Sequence, residues 1–395
     1  MDWRRFSFES HLDSEGLQSD LIAIEAYKEA ALNLVLPLDW KTQLDRLNRI
    51  RAVYGTTALE GNPLSEAEVS HQIDILEGAT AVPTKTTKEQ MQIRNAGRAQ
   101  EWIRARFHPD SAPLTLKDIL TMHEMITEHS DETNNVPGRL RTFSVQVGSP
   151  DLGGVHVGAP HDRLDQLMGE CIDFVNTRHQ LNTHPVIRAL LAHFFLVTIH
   201  PFGDGNGRVS RLVEAGILFR GGYNVHGFYG LSNYFYRNER EYKTLLQTCR
   251  AQQPFDITSF IKFGIEGFAK ELRGINNFIK AKLNRVVYRA MLVRAFNTMK
   301  SPKRRLLNQR EYNLLDFLLT ETEPRDPFSD DLSRKVRFTE LRQNVHIRNS
   351  YKGLTPRTFF RELTRLSEFA FVRFERIPGE NDLTVEINFE AIGKY

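Results

Sequence analysis

PVIRALLAHFFLVTIHPFGDGNGRVSR, residues 185–211, determines how the centre of this chain folds. It begins with an apolar run from Pro185 to Ile199, and its proline suits the first turn of a helix because proline has no amide hydrogen to donate. His200 follows at the end of that helix. Gly205 and Gly207 then permit backbone conformations that other residues avoid. The stretch therefore predicts two helices joined by a tight polar turn.

The polar residues of this turn are the types that a nucleotide-transfer site needs. Main-chain N–H groups in a glycine turn that leads into a helix form a site for anions. Arg208 and Arg211 add guanidinium groups suited to phosphate oxygens. Asp204 offers a carboxylate to Mg²⁺, and the ordinary pKa of His200 suits removal of a proton from an attacking hydroxyl. Alone, these residues predict a phosphate site with a base.

The rest of the chain to about residue 270 is predicted to be mainly helical, because apolar residues recur three and four positions apart. A capping box at Ser65 and Glu68 starts one helix. An alternating stretch over 143–157, broken by glycines and a proline, predicts a β-hairpin. The fold class is therefore mainly α, with an α+β region at the end. The other expected helices span 21–34, 40–54, 88–107, 116–129 and 163–177.

Beyond roughly residue 300 the pattern changes to three short helices followed by two alternating strands, which is typical of a winged helix. Eleven Lys and Arg stand against four Glu from 333 to 376. Arg357, Arg361 and Arg365 recur every four residues and predict a basic stripe on the recognition helix, with Phe360, Leu363 and Leu366 turned inward. DNA binding is one interpretation of this stripe, and a solvated or protein-docking face is the other. The expected elements are helices 309–319, 338–345 and 355–367 and strands 371–376 and 383–389.

Length and composition set outer limits. With 395 residues the chain can form two or three domains, and a formal net charge of +3 argues against a polyanion binder as a whole. Cys171 and Cys249 lie far apart, which predicts no disulfide framework. The first ten residues lack the apolar core of a signal peptide, and no apolar run is long enough to span a bilayer, so we expect a cytoplasmic protein that does not enter membranes. No Walker-type loop is present.

The string from His200 to Arg211 resembles the motif of the Fic family, His-Pro-Phe-x-Asp/Glu-Gly-Asn-Gly-Arg-x-x-Arg, at every fixed position. Residues 184–193 resemble the helix that precedes this motif. Residues 138–148 resemble the family's target-docking flap, and residues 231–246 its adenine side. The resemblance covers roughly residues 20 to 270 and implies a helical core with a hairpin flap. The domains expected are an N-terminal helical region (1–95), a Fic catalytic core (96–272), a connecting helix (273–300) and a winged-helix-like domain (301–395).

What the resemblance implies is AMP transfer from ATP to a Ser, Thr or Tyr hydroxyl of a target protein, and to the chain itself. His200 would deprotonate that hydroxyl, and Asp204 would hold Mg²⁺ across the α- and β-phosphates. Val145 and Val147 would lie in a flap whose edge pairs with an extended segment of an unknown target. Residues expected to bind the nucleotide are Gly205, Asn206, Gly207, Arg208, Arg211 and Tyr242.

A second string, Thr56-Thr-Ala-Leu-Glu-Gly-Asn62, resembles the family's inhibitory motif. One helical turn separates Thr56 from Glu60, so both side chains would lie on one face. Glu60 could then pair with Arg211. Because one guanidinium cannot serve both this carboxylate and the γ-phosphate, ATP would bind in a pose unfit for attack. A homodimer could steady the inhibitory helix.

Three alternatives remain open at this stage. The chain could remove AMP from a target, could transfer another phosphate-linked group, or could be a DNA-binding regulator whose core only senses nucleotide. His193 receives no role. His123 and His129 are six residues apart rather than four, so they do not share a face as a zinc-protease helix requires, and a surface helix is expected there.

Overall fold

The structure is a computed structural model, and it describes the chain apart from residues 1–2, 4–7, 10–14, 82–84, 130–133, 229, 252, 303, 327–334, 381 and 395. The chain forms two compact units, Met1–Leu272 and Arg273–Tyr395. The finer division into four domains stays a prediction. None of the described helices is long and apolar enough to cross a bilayer.

The first unit is built from helices, as the apolar spacing predicts. Its strands are few and short: β1 (Phe8–Glu9) pairs in parallel with β4 (Phe255–Asp256), and β2 (Gln146–Ser149) pairs antiparallel with β3 (Gly154–Val157). The helices are α1 (Glu15–Asn33), α2 (Leu38–Ala58), α3 (Glu66–Leu76), α4 (Lys88–Arg106), α5 (Leu116–Thr127), α6 (Leu164–Asn176), α7 (Arg178–Asn182), α8 (Pro185–Ile199), α9 (Asn206–Arg220), α10 (Ser232–Arg237), α11 (Glu239–Cys249) and α12 (Thr258–Asn297), of which α12 ends in the second unit.

Helix α8 is the centre of this unit. Every residue from Val186 to Ile199 is buried, and α8 packs along α9 and against α6. Full burial explains why the run is apolar on all sides instead of on one face. Because neighbouring helices surround α8, they also position His200, which caps its C-terminal end, and the loop that leads into α9.

The capping box predicted at Ser65 is present, with the hydroxyl accepting from the amide of Glu68. Two other local predictions differ from the structure. Helix α2 ends at Ala58, so Glu60 lies in a tight turn in which its N–H donates to the carbonyl of Thr57 at 3.1 Å. The hairpin starts later than expected, at Gln146, so Val145 lies outside the strand, although its carbonyl still accepts from Gly158 at 3.1 Å.

The described residues of the second unit form four α-helices after α12 and two small antiparallel sheets. One expected helix is broken, because Asn344 accepts from the amide of His346 and starts a separate helix. The three-stranded sheet has the order β7-β9-β8. The elements are β5 (Met299–Ser301), β6 (Arg304–Arg305), α13 (Gln309–Glu321), β7 (Val336–Arg337), α14 (Phe338–Gln343), α15 (Val345–Ser350), α16 (Pro356–Glu368), β8 (Val372–Arg376) and β9 (Leu383–Ile387).

The basic stripe predicted on α16 is not continuous. Arg357 and Arg361 are exposed, but Arg365 donates to the buried carboxylate of Glu311 at 2.7 Å, so its charge is neutralised inside the unit. The inward face also differs from the prediction, because Phe360 is 48% exposed. Phe359 fills the core in its place, together with Leu363 and Leu366.

Candidate active site

The loop between α8 and α9 is closed by the side chain of Asn206. Its Oδ1 accepts from the amide of Phe202, and its Nδ2 donates to the carbonyl of the same residue, both at 2.9 Å. Gly205 takes a left-handed conformation with φ 78°, and His200 does the same with φ 55°. The Asn206 side chain thus closes the loop with its oxygen and one of its two N–H donors, and its contact with phosphates stays a prediction.

His123 fixes the loop from the side of α5. Its ring is fully buried and stacks on Phe202 with the ring centroids 3.8 Å apart. Nδ1 accepts from the amide of Gly138 at 3.0 Å, so the proton lies on Nε2, which contacts the carbonyl of Asp204 at 3.1 Å and Oδ1 of Asn135 at 3.2 Å. Burial lowers the pKa of His123 to about 4, which keeps the ring neutral.

The expectation of a surface helix at His123 is thus wrong. The apolar pattern of α5 contained the signal, because Ile119, Met122 and Ile126 all lie on its buried face. His123 directly follows Met122 and precedes Ile126 by three positions, so it shares that face. The periodicity of apolar residues in α5 therefore predicts the burial of His123 better than its spacing to His129. His129 lies beyond the end of α5, with its side chain 73% exposed.

His200 is held through its backbone, which leaves its ring at the pocket. Nε of Arg141 donates to the carbonyl of His200 at 2.8 Å, and the amide of Arg141 bonds the carbonyl of Pro201 at 3.0 Å. Burial is the main reason that the pKa of His200 is lowered to about 4, and the positive charges of Arg250 and Arg141 act in the same direction. A neutral imidazole can accept a proton, as a general base must.

Asp204 and Arg208 are paired with each other across one turn at the start of α9. The guanidinium donates to Oδ2 at 2.6 Å, and the aspartate side chain stays 30% exposed, whereas that of Arg208 is 3% exposed. A carboxylate in reach of solvent suits Mg²⁺ that arrives with a nucleotide, since Mg²⁺ keeps most of its waters. Among the described residues, no group of three or more His, Cys, Asp or Glu side chains could hold a metal ion. The donor set therefore fits a metal shared with phosphates and not an all-protein cage.

Arg211 connects α9 to the end of α2 and the turn that follows it. Its side chain, 2% exposed, donates from Nε to Oγ1 of Thr56 at 2.8 Å, and from the second amino nitrogen to the carbonyl of Thr56 at 2.9 Å and to Oε1 of Glu60 at 2.6 Å. The ion pair expected between Glu60 and Arg211 is present. Thr56 contributes two of the three contacts, which is more than its place in the motif suggested.

The carboxylate of Glu60 lies at the N-terminus of α9. A β-carbon at Gly207 would come within 2.2 Å of Oε1, so only glycine leaves room for this approach. Burial raises the pKa of Glu60, but the charges of Arg211 and Arg208 outweigh it and hold the pKa below its ordinary value. Glu60 is therefore ionised, and it occupies the place where a helix N-terminus favours an anion.

Tyr242 belongs to a buried chain of polar groups behind Arg211. Its hydroxyl contacts Nε2 of His193 at 2.9 Å, and Nδ1 of His193 contacts Oε2 of Glu214 at 2.7 Å. The other oxygen of Glu214 accepts from the amide of Leu231 at 3.0 Å. Burial raises the pKa of Tyr242 to about 12. His193, for which the sequence indicated no role, is thus a fully buried link in this chain.

A pocket of about 260 Å³ brings the two strings together with the hairpin. Val147 of β2 lies in its wall near His200, and the imidazole of His156 on β3 bonds the carbonyl of Thr198 on α8 at 2.7 Å, which attaches the hairpin to the helix that carries His200. Arg250 also lines the pocket; the sequence analysis missed it, although it shares a helical face with Tyr242 and Leu246. The lining residues are Leu59, Glu60, Val147, Gly148, Leu152, Val197, His200, Gly207, Arg211, Tyr242, Lys243, Leu246, Gln247 and Arg250.

Comparison with known proteins agrees with the motif. Residues 113–218 match the sequence model of the Fic/DOC family. The protein adenylyltransferase Fic of Aedes aegypti is 36% identical over 174 residues, which are 44% of this chain and 33% of the relative, and that of Culex quinquefasciatus is 34% identical over the same shares. The chain spans about a third of the length of these relatives.

The fold of this chain is also similar to those of solved Fic structures. A Fic family protein from Desulfovibrio desulfuricans G20 has a TM-score of 0.52 at 20% identity, covering 93% of this chain and 95% of that one. Fic-1 (residues 134–508) from C. elegans has a TM-score of 0.51 at 24% identity, covering 65% of this chain and 70% of that one. The helical core and its motif loop thus resemble those of Fic proteins, and the match to the Fic/DOC family lies within residues 113–218.

Proposed function

We propose that this chain is a protein adenylyltransferase that moves AMP from ATP to a Ser, Thr or Tyr hydroxyl of a target protein, and to itself. The observation that carries the proposal is the neutral imidazole of His200 in a pocket that also contains Gly207 and Arg211. A base, an anion site and a fixed guanidinium within one pocket are what phosphoryl transfer requires. The names of the curated relatives support the choice of AMP.

In the proposed reaction the ring of His200 takes the proton of the target hydroxyl as that oxygen attacks the α-phosphate. The backbone amides of Gly205, Asn206 and Gly207 face the phosphates at the start of α9. Arg208 would move from Asp204 to the β-phosphate, which frees the carboxylate for Mg²⁺. Asp204 would then hold Mg²⁺, which would supply positive charge beside the phosphates.

We further infer that Glu60 restrains the site. Its carboxylate engages Arg211 and lies against Gly207, so it competes with a terminal phosphate for the same guanidinium and the same helix end. Thr56 holds Arg211 in the geometry that suits Glu60. The hairpin supports target docking, because among the described strands β2 pairs only with β3 and Val147 lines the pocket, with Val145 just before the strand.

The test is to incubate the Glu60→Gly variant with ATP and Mg²⁺ and to measure the mass of the intact protein. Addition of AMP is expected, and it should vanish in Glu60→Gly/His200→Ala. Addition of UMP from UTP, or of phosphate alone, would instead assign another transferred group. Loss of AMP from a protein modified beforehand, without any gain, would assign removal. If a homodimer steadies the turn at Glu60, variants with a higher rate of AMP transfer should dissociate into monomers more readily, which sedimentation measures.

For the second unit we infer a winged helix, with α13, α14 and α16 as its three helices and β8 and β9 as its wing. DNA contact would then depend on Arg357 and Arg361, because Arg365 is held by Glu311. An electrophoretic shift of duplex DNA by the wild-type chain that weakens with salt, and disappears in Arg357→Ala/Arg361→Ala, would support a DNA-binding role. The same shift with the double variant would contradict it.

A further inference from the structure

The charges that line the pocket are not balanced. Three cationic side chains and one carboxylate contribute to its wall. Arg211 has Glu60 as its partner at 2.6 Å, and Lys243 has Glu239 as its partner at 2.5 Å. Arg250 is the third cation. In the part of the chain that the structure describes, no carboxylate comes within 4.0 Å of its guanidinium.

The contacts that Arg250 does make are with neutral groups. Nε donates to Oγ1 of Thr198 at 3.0 Å, and the guanidinium carbon lies 5.8 Å from the ring centroid of Phe194. Its amino groups therefore remain available at the pocket. Burial lowers the pKa of Arg250 to about 10, and the neighbouring Tyr242 and Cys249 offset this only in part. A desolvated cation without a counter-ion is unfavourable, and an anion that enters the pocket removes that cost.

The position of Arg250 is fixed relative to the base. Thr198, which accepts from Nε, precedes His200 by two residues on α8, and its carbonyl also holds His156 of the hairpin. Arg250 itself caps the C-terminal end of α11. Since three elements meet at Thr198, the guanidinium cannot shift without disturbing α8 or the hairpin. An anion bound by Arg250 would therefore lie beside His200.

We propose that Arg250 forms a second oxyanion subsite of this pocket, distinct from the motif loop, and that it binds a phosphate group of the nucleotide. A guanidinium with free amino groups presents paired donors that match two oxygens of one phosphate. This inference deepens the proposed function and takes from it only the identity of the ligand as a nucleotide. It predicts that Arg250 distinguishes phosphorylated ligands from unphosphorylated ones.

The experiment measures dissociation constants of ATP, ADP, AMP and adenosine by calorimetry. The full chain carries His200→Ala, so that no transfer takes place. Arg250→Gln is the test variant. Arg250→Lys keeps the positive charge but lacks the paired N–H donors of a guanidinium. Arg240→Gln, on the exposed side of α11, is the control. The Kd of ATP should rise about tenfold or more in Arg250→Gln and less in Arg250→Lys, because a charge-assisted hydrogen bond is lost. The Kd of adenosine should stay within about twofold in all variants.

Adenosine, AMP, ADP and ATP differ by one phosphate at each step. The first ligand of this series whose Kd rises in Arg250→Gln shows which phosphate Arg250 binds. Equal losses for ATP and adenosine would mean general damage to the pocket and would overturn the proposal. So would unchanged binding of all four ligands, which would leave a target carboxylate as the better partner for Arg250. If Arg250→Gln does not fold, Arg250→Lys must show the phosphate-selective loss. Because only binding is measured, absence of AMP transfer would refute the proposed function without touching this result.

Discussion

The guanidinium of Arg211 donates a hydrogen bond of 2.6 Å to the carboxylate of Glu60, which stands 151 positions earlier in the chain. This contact joins the turn after α2 to the second turn of α9, across the pocket that contains His200. Arg211 is almost fully buried, whereas the Glu60 side chain is 38% exposed. Under the proposed restraint, the carboxylate would be the partner that a ligand displaces, and the guanidinium would be the partner that stays.

Thr56 should matter for stability because it accepts from Nε of Arg211 at 2.8 Å. Replacement by valine leaves that buried donor without its partner, and we expect the free energy of unfolding to fall by about 1 to 3 kcal/mol. Thr57→Val is the matched control, since the Thr57 hydroxyl only bonds back to carbonyls of its own helix. Urea titration of both variants measures the difference, and equal losses would contradict the importance assigned to Thr56.

His123 should be needed for the shape of the motif loop. His123→Phe can still stack on Phe202 but leaves the Gly138 amide without its acceptor and the Asp204 carbonyl without the ring donor. We expect a loss of about 1 to 3 kcal/mol in the free energy of unfolding. His71→Phe, at an exposed histidine of α3, is the control and should change it by less than about 0.5 kcal/mol. Thermal or urea unfolding that fails to separate the two variants would show that the loop does not depend on His123.

His200 should remain neutral across the physiological range. Its pKa is lowered to about 4, so protonation occurs only as the pH falls toward that value, and no loss of the neutral base is expected between about pH 5 and about pH 8. Histidine ring resonances followed by NMR can measure this, with the His200 signal assigned by its disappearance in His200→Ala. A midpoint near the ordinary histidine pKa of about 6.5 would contradict the burial of this ring.

The second unit offers a test of its own core. Arg365→Ala would leave the fully buried carboxylate of Glu311 without its cation, at a cost of about 3 kcal/mol in stability. Arg361→Ala removes an exposed arginine from the same helix and should change the stability by less than about 0.5 kcal/mol. Chemical denaturation of both variants measures the contrast. Similar values would mean that Arg365 behaves as a surface charge, as the four-residue spacing first suggested.

Much of the fold could be predicted from local patterns. The bounds of α8 follow from its apolar run and from Pro185. This succeeds because helix capping and side-chain periodicity are local properties of the sequence. The contact between Glu60 and Arg211 joins distant segments, and only the resemblance of the two strings to the Fic motifs implied it.

What the sequence could not give was the identity of partners from distant segments. Asn206 closes its own loop, Arg365 turns toward Glu311, and Arg250 enters the pocket from α11. In each case the residue type fits both a surface and a buried role, and only packing decides between them. His123 is different, because the buried face of α5 was already visible in its apolar spacing.

The most direct test of the account compares the rate of label transfer from α-labelled ATP with Mg²⁺ in wild type, Glu60→Gly, Glu60→Gln and Glu60→Gly/His200→Ala. We expect little label on protein in wild type, much more in Glu60→Gly, an increase in Glu60→Gln because the charge is lost, and none in the double variant. If folded, ATP-binding Glu60→Gly transfers no more label than wild type, the carboxylate does not restrain the site and the central claim fails.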